Sequence, residues 1–275
     1  MSDLPFEPRV AYFTMEIGLE SGVPTYSGGL GVLAGDTIRS AADLELPLVA
    51  VSLLHRRGYF YQSIDAEGRQ QEEPVHWPVD DHLEPIEARA SIEVDGSEIQ
   101  VRPWLYRVRG RTDHEVPVLL LDTDLEENPP WARELTDELY GRDDRYRLSQ
   151  EAVLGVGGVK ILRSLGCDEI DRYHLNEGHA ALLIAGLLEE ALPAKDDPPC
   201  PPRIMDQVRS KCVFTTHTPV PAGHDQFDLG LAEQLLGRHF AHVRPIVEEQ
   251  GALNMTYLAL RMSRYVNGVA RKHAE

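Results

Sequence analysis

Three stretches of the chain carry residue types whose spacing could do chemistry. The first is YSGGLGVLAGD, Tyr26 to Asp36, where glycines precede an apolar, helix-spaced run. Gly28, Gly29 and Gly31 permit a tight backbone path, and Leu30 supplies an amide between them. Such a path at the start of a helix lets N–H groups approach an anion. A phosphate cradle and a plain tight turn both satisfy this pattern. The run is neither GxGxxG nor a loop ending in Gly-Lys-Ser/Thr, so ordinary dinucleotide binding and P-loop ATP binding lose ground.

The second stretch is HLNEGHA, His174 to Ala180. Its composition predicts a helix starting near Glu177, with Asn176 as N-cap and Glu177 favoured by the helix dipole. The His174 and His179 spacing is not HExxH and brings no third ligand, so no metal is expected and a polar pocket wall is the preferred role. The third stretch is FTTHTPVPAGHDQFD, Phe214 to Asp228. His217 falls where a buried strand runs out, and Thr215, Thr216 and Thr218 form a hydroxyl-rich patch of the kind that meets sugar hydroxyls. His224 and Asp225 read as structural, pairing with each other or capping the next helix. No GxSxG elbow is present. Glu126 and Glu127 read as a solvated loop. The charged run ARELTDELYGRDDRYRLSQE reads as a solvated helix face, with Arg147 the one cation there kept as a pocket candidate.

Elements able to position these residues follow from apolar patterning. Strands are expected over 9–15, 47–53, 116–122, 171–176 and 211–217, several of them continuous rather than alternating, as for strands buried on both faces. Helices are expected near 31–44, 146–165, 178–191, 229–249 and 252–264. The β-α-β order predicts an α/β fold with a doubly wound, Rossmann-like parallel sheet. The segment ASIEVDGSEIQVRPWLYRV (90–108) carries Asp95-Gly96 between strand-like runs and predicts a β-hairpin insertion of about 88–110. PAKDDPPCPP (193–202) reads as a surface loop or partly disordered linker rather than a domain boundary. Ligands are expected at the carboxyl ends of the strands.

Bulk properties narrow the partners. A formal net charge of -18 argues against nucleic acid and anionic membrane surfaces. Any phosphate site must then be a local device of amides and dipoles. The three cysteines, Cys167, Cys200 and Cys212, form no CxxC pair and predict neither a disulfide scaffold nor a zinc site. No signal peptide and no membrane-spanning run is apparent, so the expected location is cytoplasmic.

Taken in order, TMEIGLESGVPTYSGGLGVLAGD, GYFYQ, RELTDELYGRDDRYRLSQE, HLNEGHAAL, FTTHTPVPAGHDQFD and YVNGVARKH form a set. It resembles the α-glucan (glycogen and maltodextrin) phosphorylases, in particular the shorter bacterial and archaeal type, over nearly the whole chain. The resemblance implies the N-terminal half of a GT-B glycosyltransferase, residues 1–275, incomplete at its C-terminal edge. It implies transfer of terminal α-1,4-linked glucosyl units to inorganic phosphate, giving glucose 1-phosphate with retention. Pyridoxal 5'-phosphate is the implied cofactor, its phosphate group acting as the acid/base partner. By the same resemblance, Gly28, Gly29 and Leu30 belong to the phosphate-binding loop and His217 contacts the transferred glucosyl unit. Glu16 lines the catalytic centre, and Asn176, Glu177, His179, Arg147, Thr216 and Thr218 line the substrate pocket.

Departures from the family pattern set further expectations. None of Lys160, Lys195, Lys211 or Lys272 sits in a cofactor-lysine motif, Gly18 stands where many members have a tyrosine, and the acidic loop is shortened around Asp143. The chain is expected to be inactive alone, as a fragment lacking the cofactor domain. Its expected partners are α-glucan, phosphate and glucose 1-phosphate, with a homodimer or a complementing C-terminal half. Two alternatives stand beside this. One is a glycogen or starch synthase-like nucleotide-sugar glucosyltransferase, against which Ser27 counts, because a lysine is expected there. The other is a non-catalytic glucan-binding remnant.

Overall fold

The computed structural model describes residues 4–192, 200–217 and 224–271. Thr218, Lys195, Lys272 and most of the Pro-rich stretch 193–202 lie outside the described residues.

Strands β1 (Val10–Thr14), β2 (Leu48–Leu53), β3 (Tyr61–Ile64), β4 (Gln70–Glu73), β5 (Glu84–Pro85), β6 (Ala90–Val94), β7 (Ser97–Arg109), β8 (Glu115–Asp122), β9 (Arg172–Asn176), β10 (Cys212–Thr216), β11 (Gln226–Phe227), β12 (Leu253–Asn254) and β13 (Tyr265–Gly268) alternate with helices. The helices are α1 (Gly29–Asp43), α2 (Val79–His82), α3 (Pro130–Arg133), α4 (Asp144–Ala152), α5 (Gly158–Ser164), α6 (Leu183–Ala191), α7 (Pro202–Lys211), α8 (Leu229–Leu236), α9 (Arg238–Val247) and α10 (Met255–Arg261). The main sheet has the order β13-β10-β9-β1-β2-β8-β7-β5, with β6 on β7. From β13 to β8 neighbouring strands run parallel. β7 joins β8 antiparallel, and β5 and β6 pair antiparallel with β7. The result is a mixed α/β fold around a mostly parallel sheet. Asp95 and Gly96, both at positive φ (52° and 68°), connect β6 to β7.

Continuous apolar runs form the central strands because both faces of the sheet are covered. Alternate side chains go to opposite cores. Phe13, Val49, Val51, Leu119 and Leu121 join the larger apolar cluster with α6 and α9. Tyr12, Ala50, Val118 and Leu120 join a second cluster with Ala34 and Ile38 of α1. All three cysteines are buried free thiols, and no helix among the described residues is long and apolar enough to cross a membrane.

Two expectations need correction. The charged run 132–151 is not a single solvated helix face. It breaks after α3 into a turn with Tyr140 and Arg142 at φ 58° and 64°, then restarts as α4, where the Asp143 side chain accepts from the Tyr146 amide. Tyr146, Leu148, Ser149, Gln150 and Glu151 are buried. Helix α7 was not expected at all, because only Ile204 and Val208 of its residues are buried and its apolar stripe is thin.

Candidate active site

The chain leaves β1 toward β2 on one side and, later, leaves β9 toward β10 on the other. The sheet therefore changes winding direction between β1 and β9, and a crevice opens beyond the carboxyl ends of such a pair. Glu16 follows β1 there, Glu177 follows β9, and His217 follows β10. Short hydrogen bonds tie these ends together. Thr14 Oγ1 donates to the Glu16 carbonyl (2.8 Å) and accepts from Asn176 Nδ2 (3.1 Å). With its amide nitrogen so engaged, Asn176 turns Oδ1 to His217 Nε2 at 2.5 Å. A carbonyl oxygen only accepts, so the imidazole donates from Nε2.

The helix cap expected at Asn176 falls one residue later. Glu177, at φ 73°, caps a short 3-10 turn (Gly178–Ala180), its Oε1 accepting from the Gly178 amide. Its Oε2 accepts from the His217 amide (2.7 Å). A non-glycine residue at this φ is held there by its surroundings, at a cost of about 1–3 kcal/mol. Thr216 ends β10 opposite Gly268.

Glu16, only 3% exposed, reaches into the glycine-rich loop. Its Oε2 accepts from the Ser27 amide (2.6 Å) and the Gly28 amide (3.1 Å), and its Oε1 accepts from the Tyr140 hydroxyl (3.0 Å). Gly31 is required by this contact, since a Cβ there would lie 2.7 Å from Glu16 Oε2. The Gly28 N–H is thus committed to a carboxylate within the protein. The amides of Gly29 and Leu30, at the open N-terminus of α1, have no partner among the described residues.

A second group of charges forms the flank. Arg147 Nη2 donates to Asp225 Oδ2 at 2.9 Å, and its guanidinium lies 4.7 Å over the Tyr140 ring. His179 Nε2 lies 3.2 Å from the same Asp225 oxygen. Glu151, fully buried, comes within 3.7 Å of Arg147 Nε. Burial pushes the Asp225 carboxyl up, but the His179 hydrogen bond and the charges of His179 and Arg147 outweigh it and hold the group below the usual carboxylate range. Burial, followed by the charge of Asp225, pushes Glu151 well above its usual value and favours its protonated form. Burial and the charge of Glu16 likewise raise the Tyr140 phenol, keeping it a donor.

Asp225 was expected to be structural, through His224 or a helix cap. Instead it anchors Arg147 and His179, while His224 Nδ1 turns to Thr256 Oγ1 (2.7 Å) and Asp228 caps α8. Tyr140 was missed altogether. His174 contacts Thr215 Oγ1 (2.8 Å), and burial with the nearby His217 lowers its pKa to about 4. Among the described residues no group of three or more His, Cys, Asp or Glu is placed to hold a metal ion.

No family model matches the chain. The chain is 40% identical to maltodextrin phosphorylase of Thermococcus litoralis over 286 residues, covering 98% of this chain and 33% of that protein. It is 36% identical to glycogen phosphorylase of Mycobacterium tuberculosis, covering 96% of this chain and 33% of that protein. With glycogen phosphorylase of Aquifex aeolicus the identity is 30%, over 98% of this chain and 40% of that protein. The chain thus spans about a third of the length of the first two relatives. On these matches, the chain is similar over nearly its whole length to about a third of a glycogen or maltodextrin phosphorylase.

Proposed function

We propose that the chain forms the sugar-binding and phosphate-facing wall of an α-glucan phosphorylase centre. There a terminal α-1,4-linked glucosyl unit is transferred to inorganic phosphate as glucose 1-phosphate. The observation that carries this reading is the relay Glu16–Thr14–Asn176–His217, which ties the glycine-rich loop and a strand-end histidine to one crevice. In this reading the unpaired Gly29 and Leu30 amides donate to a phosphate oxygen, aided by the dipole of α1. His217, fixed by Asn176 and by Glu177, meets the glucosyl unit. Arg147 and His179, held by Asp225, form the flank of the sugar pocket.

The described residues do not fit the covalent anchor of pyridoxal 5'-phosphate. Lys160 donates to the Ser91 carbonyl, and Lys211 precedes β10 at the end of the sheet away from the crevice. Arg147 is engaged by Asp225. Two adjacent phosphates would find too few cations, so this chain's part is positioning, and the anchor and cations come from outside the described residues. The test is to incubate the purified chain with maltoheptaose, phosphate and pyridoxal phosphate, alone and mixed with the C-terminal half of a glycogen phosphorylase. The chain alone is expected to release no glucose 1-phosphate. The mixture is expected to release it, and His217→Ala to lower the release by at least ~10-fold. Release by the chain alone contradicts the positioning role.

A further inference from the structure

The β6–β7 hairpin faces α5, α6 and α9 across a cavity of about 320 Å³, within the size range of small-ligand sites. None of its lining residues belongs to the site described above. Glu93 and Glu98 stand on the hairpin side, Lys160 and Arg238 on the helix side. Among the described residues none of these four forms an ion pair. Lys160 Nζ donates instead to the Ser91 carbonyl (3.2 Å). Glu189, also in the wall, is already matched, with its Oε2 2.9 Å from His239 Nδ1. His239 is only 3% exposed, and its Nε2 is buried without a hydrogen-bond partner among the described residues. Arg238 and His239 are the first two residues of α9, whose N-cap, Gly237, brings no side-chain cap. The opening amides and the positive end of the helix dipole therefore add to the helix side. Buried Ile92 gives the cavity one apolar surface.

This lining selects a class of ligand. A simple anion would meet the lysine and arginine but also two unpaired carboxylates, and a simple cation the reverse. No group of three or more His, Cys, Asp or Glu among the described residues is placed to hold a metal ion. A molecule carrying both charges satisfies both sides and recovers the unmet hydrogen bond of His239. The two sides approach at one edge, where Glu93 Oε1 would lie 3.5 Å from a Cβ at Gly237. The ligand's charges therefore need to be close together, as they are on one α-carbon. We propose that this cavity binds a small zwitterion of the α-amino acid class with an aliphatic side chain. Its carboxylate meets Arg238, Lys160 and the first amides of α9, its ammonium meets Glu93 and Glu98, and its side chain lies on Ile92. The cavity shares no residue with the proposed phosphorylase crevice, so its occupancy is independent of that reading.

The test is calorimetric titration of the purified chain with L-valine and with its two single-charge halves, isovalerate and isobutylamine. Arg238→Gln and Glu98→Gln are titrated with L-valine in the same way. Both side chains are exposed, so the variants keep the fold, checked by an unchanged thermal midpoint without ligand. The expected result is saturable binding of L-valine by the wild type, with each half bound at least ~10-fold more weakly. Each variant is expected to raise the L-valine dissociation constant about 10-fold. Isovalerate or isobutylamine binding as tightly as L-valine overturns the zwitterion site in favour of a site for one charge. No saturable L-valine binding by the wild type, or an affinity unchanged in either variant, also overturns it.

Discussion

Glu16 Oε2 lies 2.6 Å from the Ser27 amide nitrogen, so a carboxylate from the end of β1 caps the loop in front of α1. Gly28, the N-cap residue, has no side chain to do so. The contact orients the loop and fixes which amides stay available to a ligand. It also places a carboxylate beside the proposed phosphate position, so phosphate is expected to be held there more weakly than by the Gly29 and Leu30 amides alone.

Replacing that charge has two expected consequences. Glu16→Gln keeps an acceptor but loses charge-assisted hydrogen bonds, and is expected to lower stability by about 1–2 kcal/mol in urea denaturation. The same variant is expected to bind inorganic phosphate more tightly, because a like charge has gone. Weaker phosphate binding would show that Glu16 does not oppose the anion.

Asp225→Asn leaves Arg147 and His179 without their anion and is expected to cost about 3 kcal/mol at pH 7. The folded-state pKa of Asp225 is depressed. Its contribution is therefore present above the ordinary aspartate value, near pH 4, and is lost as pH falls through the lower folded value. The gap between wild type and variant should narrow in acid. A gap that is constant from pH 7 to pH 3 would contradict the ion-pair account.

Glu151 has the opposite sign. Its folded-state pKa is raised, so any stability tied to its proton is complete below the unfolded value and declines as pH rises toward the folded one. Glu151→Gln, neutral at all pH, is expected to match the wild type near pH 4 and to gain on it by up to about 1.4 kcal/mol per pH unit above that. Denaturant midpoints at pH 5 and pH 8 check this. Equal destabilisation at both would show that Glu151 is ionised in the fold.

The sheet was legible because continuous apolar runs such as LVAVSL and VPVLLLD have few alternatives in a chain of this composition. Glu16, Asn176 and His217 were singled out through the family resemblance, yet the hydrogen bonds that link them through Thr14 join residues far apart in sequence. Asp225 and Tyr140 show the limit. Asp225 contacts Arg147 and His179 across 78 and 46 positions of chain, and no local pattern encodes that meeting. Asp225 does lie in the same loop motif as His217, which is the one signal that could have raised it. The buried side of the charged run 144–152 was unreadable for a related reason: Ser149, Gln150 and Glu151 look solvated until their buried partners are known.

The central claim, that free amides at the start of α1 receive a phosphate oxygen, is tested most directly by Gly29→Pro. Proline is tolerated at the first position of a helix and removes one N–H. Gly28 before it is already extended, at φ -157° and ψ -154°, and nothing lies within 4 Å of a Cβ at Gly29. Phosphorus NMR titration with inorganic phosphate and glucose 1-phosphate is predicted to show saturable binding to the wild type. The variant is predicted to bind at least ~10-fold more weakly with an unchanged thermal midpoint. Equal binding by both proteins, or no saturable binding by the wild type, would contradict the account.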